Sequence, residues 1–380
     1  MRVVVAPDKF KGSLTAAQAA AAIAAGLRQQ RPDLDVVELP VADGGDGTVA
    51  AALAAGFAPV QVTGTGPTGE PVLATFARSG ATAVIELAEV TGLRRLPGGV
   101  LAPLAASTYG VGEVIAAALD AGAATIVLGI GGSSSTDGGA GMVTALGARL
   151  TGASGRPVRL GGAGLVELAN VDASGLDPRL AGAEVFVACD VDNPLLGASG
   201  AAAVFGPQKG ATASDIVLLD RALGRWAELT ASVTGRDLAG APGAGAAGGT
   251  GFAALAYLGA RLVPGIDLVL DLIGFDAALA GADLVITGEG SLDRQTLGGK
   301  APFGVARAAA RRGVPVAVVA GRISLSAAEL AMARFSIAYD LVDLEPDDAA
   351  SMAAAWVLLE QVGVMIGSGP LAPGSSPGPA

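Results

Sequence analysis

Both ends of the chain follow one grammar: a short β-branched run, a polar loop rich in glycine, then an alanine-rich helical stretch. At the start, Arg2–Ala6 reads as a strand, residues 7–13 as a loop, and Thr15–Gln30 as a helix that stops before Pro32. A second strand run, Val36–Val41, enters Asp43-Gly44-Gly45-Asp46-Gly47-Thr48 and a helix to Ala55. The far end repeats the pattern. Leu284–Thr287 reads as a strand, Gly288–Lys300 as a loop, and Pro302–Arg312 as a helix with Pro302 in its first turn. Val314–Val319 and Ser336–Val342 read as strands, and Asp347–Val362 as a closing helix. Strands joined by helical crossovers build parallel sheets, so an α/β fold is expected.

The middle of the chain differs. Val60–Thr63, Pro71–Ala77 and Thr82–Glu86 are short β runs separated by turns. Helices are expected at Ser107–Leu119, Met142–Leu150 and Phe252–Leu262, and strands at Thr125–Ile130 and Val185–Ala188. The expectation is a separate α/β domain, residues 61–281, inserted into a terminal domain made of residues 1–60 and 282–366. Residues 367–380, rich in Gly, Pro and Ser, are expected to be a disordered tail.

Composition excludes much chemistry. The 380 residues include no histidine and one cysteine, Cys189. Ser-His-Asp hydrolysis, Cys-His proteolysis and His-ligated zinc are therefore ruled out. Acid–base work falls to Asp, Glu, Lys, Tyr or Cys, and oxygen-bound Mg²⁺ stays compatible. A lone cysteine forms no internal disulfide, and without a histidine partner it reads as a small core residue. The net charge of −11, with no run of Lys and Arg, argues against nucleic acid. No apolar run is long and clean enough to span a bilayer, and a cytoplasmic enzyme is the expectation. The sequence carries no signal for an oligomeric state.

Several loops at strand ends carry the candidate chemistry. Gly129–Gly141 follows a buried strand and precedes a helix. Its Gly131 and Gly132 let backbone approach a ligand, and Ser133, Ser134, Ser135 and Thr136 supply donors, so a phosphate site is expected. Asp137 reads either as a Mg²⁺ ligand or as a helix cap. The second loop, Gly288–Lys300, offers Gly288, Glu289, Gly290 and Ser291 for a nucleotide. It sets Asp293, a candidate metal ligand, beside Arg294 and Lys300. Its spacing is not that of a P-loop. Lys9 and Lys11 lie on the loop leaving the first strand, where ligands sit in open α/β sheets, with Asp8 and Ser13 beside them. Asp43 and Asp46 leave the second strand. After a later strand comes Asp190, the candidate general base, with Asp192 and Asn193 as candidate substrate or metal contacts or, alternatively, parts of an Asx turn. Gln208 and Lys209 sit on a tight turn as further substrate candidates. Gly64–Gly69 fits G-x-G-x-x-G, but a strand follows it where a dinucleotide site needs a helix, so it reads as hairpin turn chemistry.

With those residues in place, the chain resembles the bacterial glycerate kinase family often called type I. The likeness runs over roughly residues 1 to 365 and is carried by six ordered segments: Ala6–Thr15, Pro40–Thr48, Gly129–Gly141, Cys189–Gly197, Gly206–Ala211 and Thr287–Lys300. It implies a flavodoxin-like three-layer α/β domain built from both chain ends and an inserted α/β domain with a mixed sheet. It also implies ATP- and Mg²⁺-dependent phosphorylation of D-glycerate, mainly to the 2-phosphate, in a cleft between the two domains. On that reading Gly129–Gly141 and Gly288–Lys300 bind ATP phosphates and Mg²⁺, Lys9 and Lys11 neutralise substrate charge, and Asp190 orients or deprotonates the accepting hydroxyl. The same loops are compatible with 3-phosphate formation, with a kinase for another small hydroxy acid, and with a non-catalytic binder of a phosphorylated acid.

Overall fold

The computed structural model describes residues 1–294, 296 and 299–369. Of the tail expected at 367–380, residues 370–380 lie outside the described residues. So do Gln295, Leu297 and Gly298 of the loop before Lys300. The strands, in chain order, are β1 (Arg2–Val5), β2 (Asp35–Glu38), β3 (Ala58–Thr65), β4 (Pro71–Ser79), β5 (Thr82–Glu86), β6 (Thr125–Gly129) and β7 (Arg149–Gly152). They continue with β8 (Leu168–Asp172), β9 (Glu184–Ala188), β10 (Arg261–Val263), β11 (Leu284–Leu292), β12 (Val316–Ile323) and β13 (Ile337–Asp340). Two compact units share them. One takes residues 1–43, 50–56 and those from Ile266 on; the other takes 44–49 and 57–265.

The first unit has a five-stranded parallel sheet in the order β2-β1-β11-β12-β13. Renumbered within the unit this is 2-1-3-4-5, the flavodoxin-like order. The central strands are covered on both faces, which is why they read as unbroken Val/Ile/Ala runs. Val3, Val5, Ile286 and Val319 pack under the helices Ala16–Gln30 and Ala355–Ser368 through Ile23, Leu27, Leu359 and Val362. On the other face Val4, Val285 and Val318 meet Ile266, Val269 and Val305. Burial of each such side chain contributes about 1.5–3 kcal/mol. Thr15 caps the first helix in a capping box with Gln18.

The second unit is built on a six-stranded mixed sheet, β10-β9-β6-β5-β4-β3. Strands β10, β9, β6 and β5 run parallel, and the β5-β4-β3 meander is antiparallel. A separate hairpin pairs β7 with β8. Trp226 anchors the core: it stacks on Tyr257 at 5.4 Å and donates from Nε1 to the Gly138 carbonyl at 3.0 Å.

Several expected boundaries move. The helix expected at Met142–Leu150 is Ala140–Ala145 followed by β7, because Gly147 turns the chain with φ +108° against the Gly175 carbonyl. Strand β11 runs on through Leu292, so Gly288–Leu292 is sheet, not loop; Glu289 pairs with Ala320. The helix expected at Phe252–Leu262 is Ala246–Tyr257, with β10 after it. The last helix reaches Ser368, past the expected start of the tail. Residues 213–234 carried no expectation, yet form a 22-residue helix with a Thr212–Asp215 capping box. The second unit ends at Gly265 rather than 281, since Ile266, Val269, Leu270 and Ile273 belong to the first unit's core.

Candidate functional site

In the first unit, the candidate residues converge at the carboxyl ends of β1 and β11, the point where strand order reverses. The chain continues alongside β11 after β1 ends, and the Asp8 amide donates to the Gly288 carbonyl at 2.8 Å. Here a cleft of about 510 Å³ is lined by Lys9, Lys11, Asp43, Glu289, Lys300 and Arg322, among others. Asp8 also lines it and is only 5% exposed. Burial is the main cause that pushes its carboxyl up to about 7; Asp43 and Glu289 add to the rise, and Lys9 opposes it. The Lys9 ammonium lies 3.5 Å from Asp8 and 3.9 Å from Asp43, so one cation joins the ends of β1 and β2. Glu289 accepts from the Thr296 hydroxyl at 2.6 Å, and burial pushes its carboxyl up. Lys300 stands 3.6 Å from Asp293. Ser13 donates to the Phe10 carbonyl at 3.0 Å. Gly290 and Ser291 line the same cleft.

Arg322 was missed from the sequence. It sits near the end of β12 in register with Ser291 and pairs with Asp348 at 2.5 Å. Its only sequence signal was a charge at the end of an apolar strand run.

In the second unit, the Gly129–Gly141 loop leaves β6 as expected, but its hydroxyls turn inward. Ser133, Ser134, Ser135 and Thr136 are all buried. Ser134 gives both its amide and its hydroxyl to the Thr91 carbonyl, at 3.1 and 2.7 Å. Among the described residues the Ser135 and Thr136 hydroxyls have no hydrogen-bond partner. Gly131 and Gly132 keep accessible surface. Gly131 faces Gly45 so closely that a Cβ would lie 2.6 Å from the Gly45 Cα.

Asp137 lies at the centre of the loop's own bonding. It is fully buried, and its carboxylate accepts from the Thr108 amide (2.8 Å) and hydroxyl (2.9 Å), the Ser107 hydroxyl (3.3 Å), and the amides of Gly139 and Gly141 (both 3.2 Å). Four of these five donors meet Oδ2 and one meets Oδ1, so Asp137 ties the loop together in the manner of the cap that was its alternative reading. Lys209, expected on a tight turn as a substrate contact, is 1% exposed beneath the same loop. Its ammonium donates to the Ser133 hydroxyl at 2.8 Å and to the Ser135 carbonyl. Burial pushes it down to about 7, against the pull of Asp137. It supports the loop from inside, while Gln208 beside it is exposed.

The remaining candidates lie on the same edge of that unit's sheet. Asp190 follows β9, is exposed, and accepts from the Gly265 amide at 2.9 Å. Asp192 is exposed. Asn193 closes a turn by donating to the Ser199 carbonyl at 2.8 Å. Asp46 pairs with Arg94 at 2.8 Å. Cys189 is half-buried with its thiol pKa pushed up by burial, consistent with an inert core role. Gly64–Gly69 lies at the β3–β4 hairpin, as turn chemistry requires.

Among the described residues no group of three or more Asp, Glu or Cys is placed to hold a metal. A Mg²⁺ that arrives bound to nucleotide phosphates keeps most of its waters and needs only one or two carboxylates. Asp293, at the cleft edge beside Lys300, fits that requirement. The chemistry available is therefore anion binding at Lys9, Lys11, Lys300 and Arg322, with carboxylates close enough to meet a metal–phosphate complex. No helix among the described residues is long and apolar enough to cross a membrane.

Residues 3–368 match the sequence pattern of the Glycerate kinase family. The chain is 50% identical over 327 residues to a protein named glycerate kinase from Bacillus subtilis (strain 168), covering 85% of this chain and 86% of that one. It is 47% identical, over the same shares, to one named glycerate 2-kinase from Escherichia coli (strain K12). Its fold superposes with a TM-score of 0.83 on a crystal structure from Salmonella typhimurium LT2 named as glycerate kinase 2, at 45% identity and over 96% of this chain and 98% of that one. The chain belongs to the glycerate kinase family.

Proposed function

We propose that the chain transfers the terminal phosphoryl group of Mg·ATP to D-glycerate and forms 2-phosphoglycerate. The observation that carries this reading is the cleft at the strand-order reversal of the first unit, with four cations and a cluster of carboxylates, in a chain of this family. The 2-phosphate product is supported by the name of the Escherichia coli relative.

Phosphoryl transfer needs positioning and charge neutralisation more than covalent chemistry. Lys9 and Lys11 neutralise the glycerate carboxylate or the transferred group. Gly288, Glu289, Gly290, Ser291 and Lys300 take the nucleotide phosphates, with Asp293 toward their Mg²⁺. Gly131 and Gly132 are the members of their loop left to meet a phosphate. Asp190 accepts the proton of the attacking hydroxyl, and Asp8, Ser13, Asp43, Asp46, Asp192 and Gln208 shape the substrate's surroundings.

The test is a coupled assay with D-glycerate, ATP and Mg²⁺, read through enolase with no mutase present. ADP formation with enolase signal is the expected result, and chelation of Mg²⁺ with EDTA should abolish both. ADP without enolase signal assigns the 3-phosphate and overturns the regiochemistry. If glycerate binds but no ADP forms, the chain is a binding protein and the reading fails.

A further inference from the structure

The cleft of the first unit changes character along its length. It follows the carboxyl edge of the parallel sheet, from Asp43 beyond β2 to Leu341 beyond β13. Beyond β2, β1 and β11 its lining is charged: Asp43, Lys9, Glu289 and Lys300. Beyond β13 it is lined by Leu341, Met352 and Ala355, and Phe10 packs into the same core as Leu341. Phe10, Leu341 and Ala355 are buried, whereas Met352, on the short helix Asp348–Ala353, is 48% exposed. Its Cε reaches the loop that follows β1, since a Cβ on Gly12 would lie 2.8 Å from it. Arg322 and Asp348 also line this side, and they pair with each other at 2.5 Å, which leaves it little net charge.

The lining narrows what this side can receive. An apolar wall holds neither a phosphate nor a carboxylate. D-glycerate carries a carboxylate and two hydroxyls on three carbons, so it has no apolar face to bury. Of the reactants proposed above, only the nucleotide has one, the flat face of its base. Small-molecule sites are lined mainly by apolar groups with a few placed polar ones, and that is the division seen along this cleft. Methionine suits a ring: its side chain is flexible, and its polarisable sulfur makes favourable contacts with aromatic systems.

We propose that the Met352 side of the cleft seats the adenine base of the phosphoryl donor, with Met352 against the ring and Phe10, Leu341 and Ala355 behind it, so that the phosphates run toward Lys300. This rests on the Mg·ATP-dependent transfer proposed above. Met352 then holds the donor without touching the group that is transferred. Such an interaction is equally strong before and during the reaction, so it acts on the KM for ATP and leaves kcat alone.

Met352→Ala should raise the KM for ATP roughly 5- to 20-fold, with kcat and the KM for D-glycerate within about twofold of the unmodified chain. Inorganic tripolyphosphate has the charge of the nucleotide without its base. As an inhibitor competing with ATP, it should keep the same inhibition constant in the variant. An unchanged KM for ATP overturns the inference. So does a parallel loss for ATP and tripolyphosphate, because Met352 would then only prop the loop after β1. Should the variant fail to fold, the unmodified chain crystallised with a non-hydrolysable ATP analogue decides. An adenine ring within about 4 Å of the Met352 side chain supports the inference, and a ring seated elsewhere overturns it. An unmodified chain that forms no ADP with D-glycerate fails the underlying reading instead, a result visible before any variant is made.

Discussion

Lys209 is a basic side chain doing an interior job. Its stem and ammonium are enclosed, and its donors go to Ser133 and to the Ser135 carbonyl. Removing the ammonium leaves that carbonyl unsatisfied, at a cost of about 1–3 kcal/mol. Keeping it carries a pH-dependent cost, because its folded pKa is about 7 against an ordinary 10.5. Between those values the unfolded chain holds a proton that the folded chain lacks, so stability rises with pH across this window. Lys209→Met has no such slope. Thermal melts should find the variant less stable than the parent near pH 10, with the gap closing as pH falls toward 7 and constant below it. Parallel curves would show that Lys209 is not held in a depressed state. Asp137 makes the complementary point: a carboxylate can be essential to a phosphate-type loop and be wholly committed to the loop's own amides and hydroxyls.

At the scale of elements, what matters is how closely the strand ends are covered. Gly44 has φ +85°, and a Cβ there would lie 2.5 Å from the Gly265 Cα and 2.6 Å from the Ala188 Cβ. Gly56 has a similar φ of +95° but nothing within 4 Å. Alanine at either position costs about 1–2 kcal/mol for the backbone alone. Gly44→Ala adds overpacking of about 1–3 kcal/mol against backbone that cannot yield. Its melting temperature should therefore drop well below that of Gly56→Ala; equal drops would mean the Gly44–Val49 loop is loosely seated. The glycine itself was legible in Asp43–Thr48, whereas its neighbours Ala188 and Gly265, far along the chain, were not. The same split recurs across the fold. The βα alternation at both chain ends is local and periodic, so the parallel sheet could be read from it. The 213–234 helix was legible too, through Leu219, Leu223, Trp226 and Thr230 at helical spacing. By contrast, the inward turn of Ser133–Thr136 and the burial of Lys209 are set by packing that no local pattern encodes. Glu86 looked like the polar end of an apolar strand, and only the Gly47 and Val49 amides that donate to it show that it fastens the 44–49 loop.

The absence of histidine shapes the behaviour of the whole molecule. No side chain with an ordinary pKa changes charge between pH 6 and 8 in such a chain, so activity governed by unperturbed groups would be flat there. Three buried groups break that expectation. Asp8 and Glu86 are raised to about 7, and Lys209 is lowered to about 7. As pH rises through this value the two carboxyls gain negative charge and the lysine loses its positive charge. An ionised Asp8 is what holds the Lys9 ammonium at the cleft, so low pH weakens that pairing. Lys209 loses its proton over the same range, but burial already favours its neutral form, so the fold around it does not weaken as pH rises. The kcat/KM profile for D-glycerate should consequently rise along an acid limb near 7, the apparent value belonging to the set of groups and not to any one of them. Asp8→Asn keeps an acceptor for the Lys9 amide but cannot ionise, so it should lower kcat/KM and flatten that limb. A parent profile that stays flat from about pH 6.5 to 8.5 would remove these buried groups from the rate-determining chemistry.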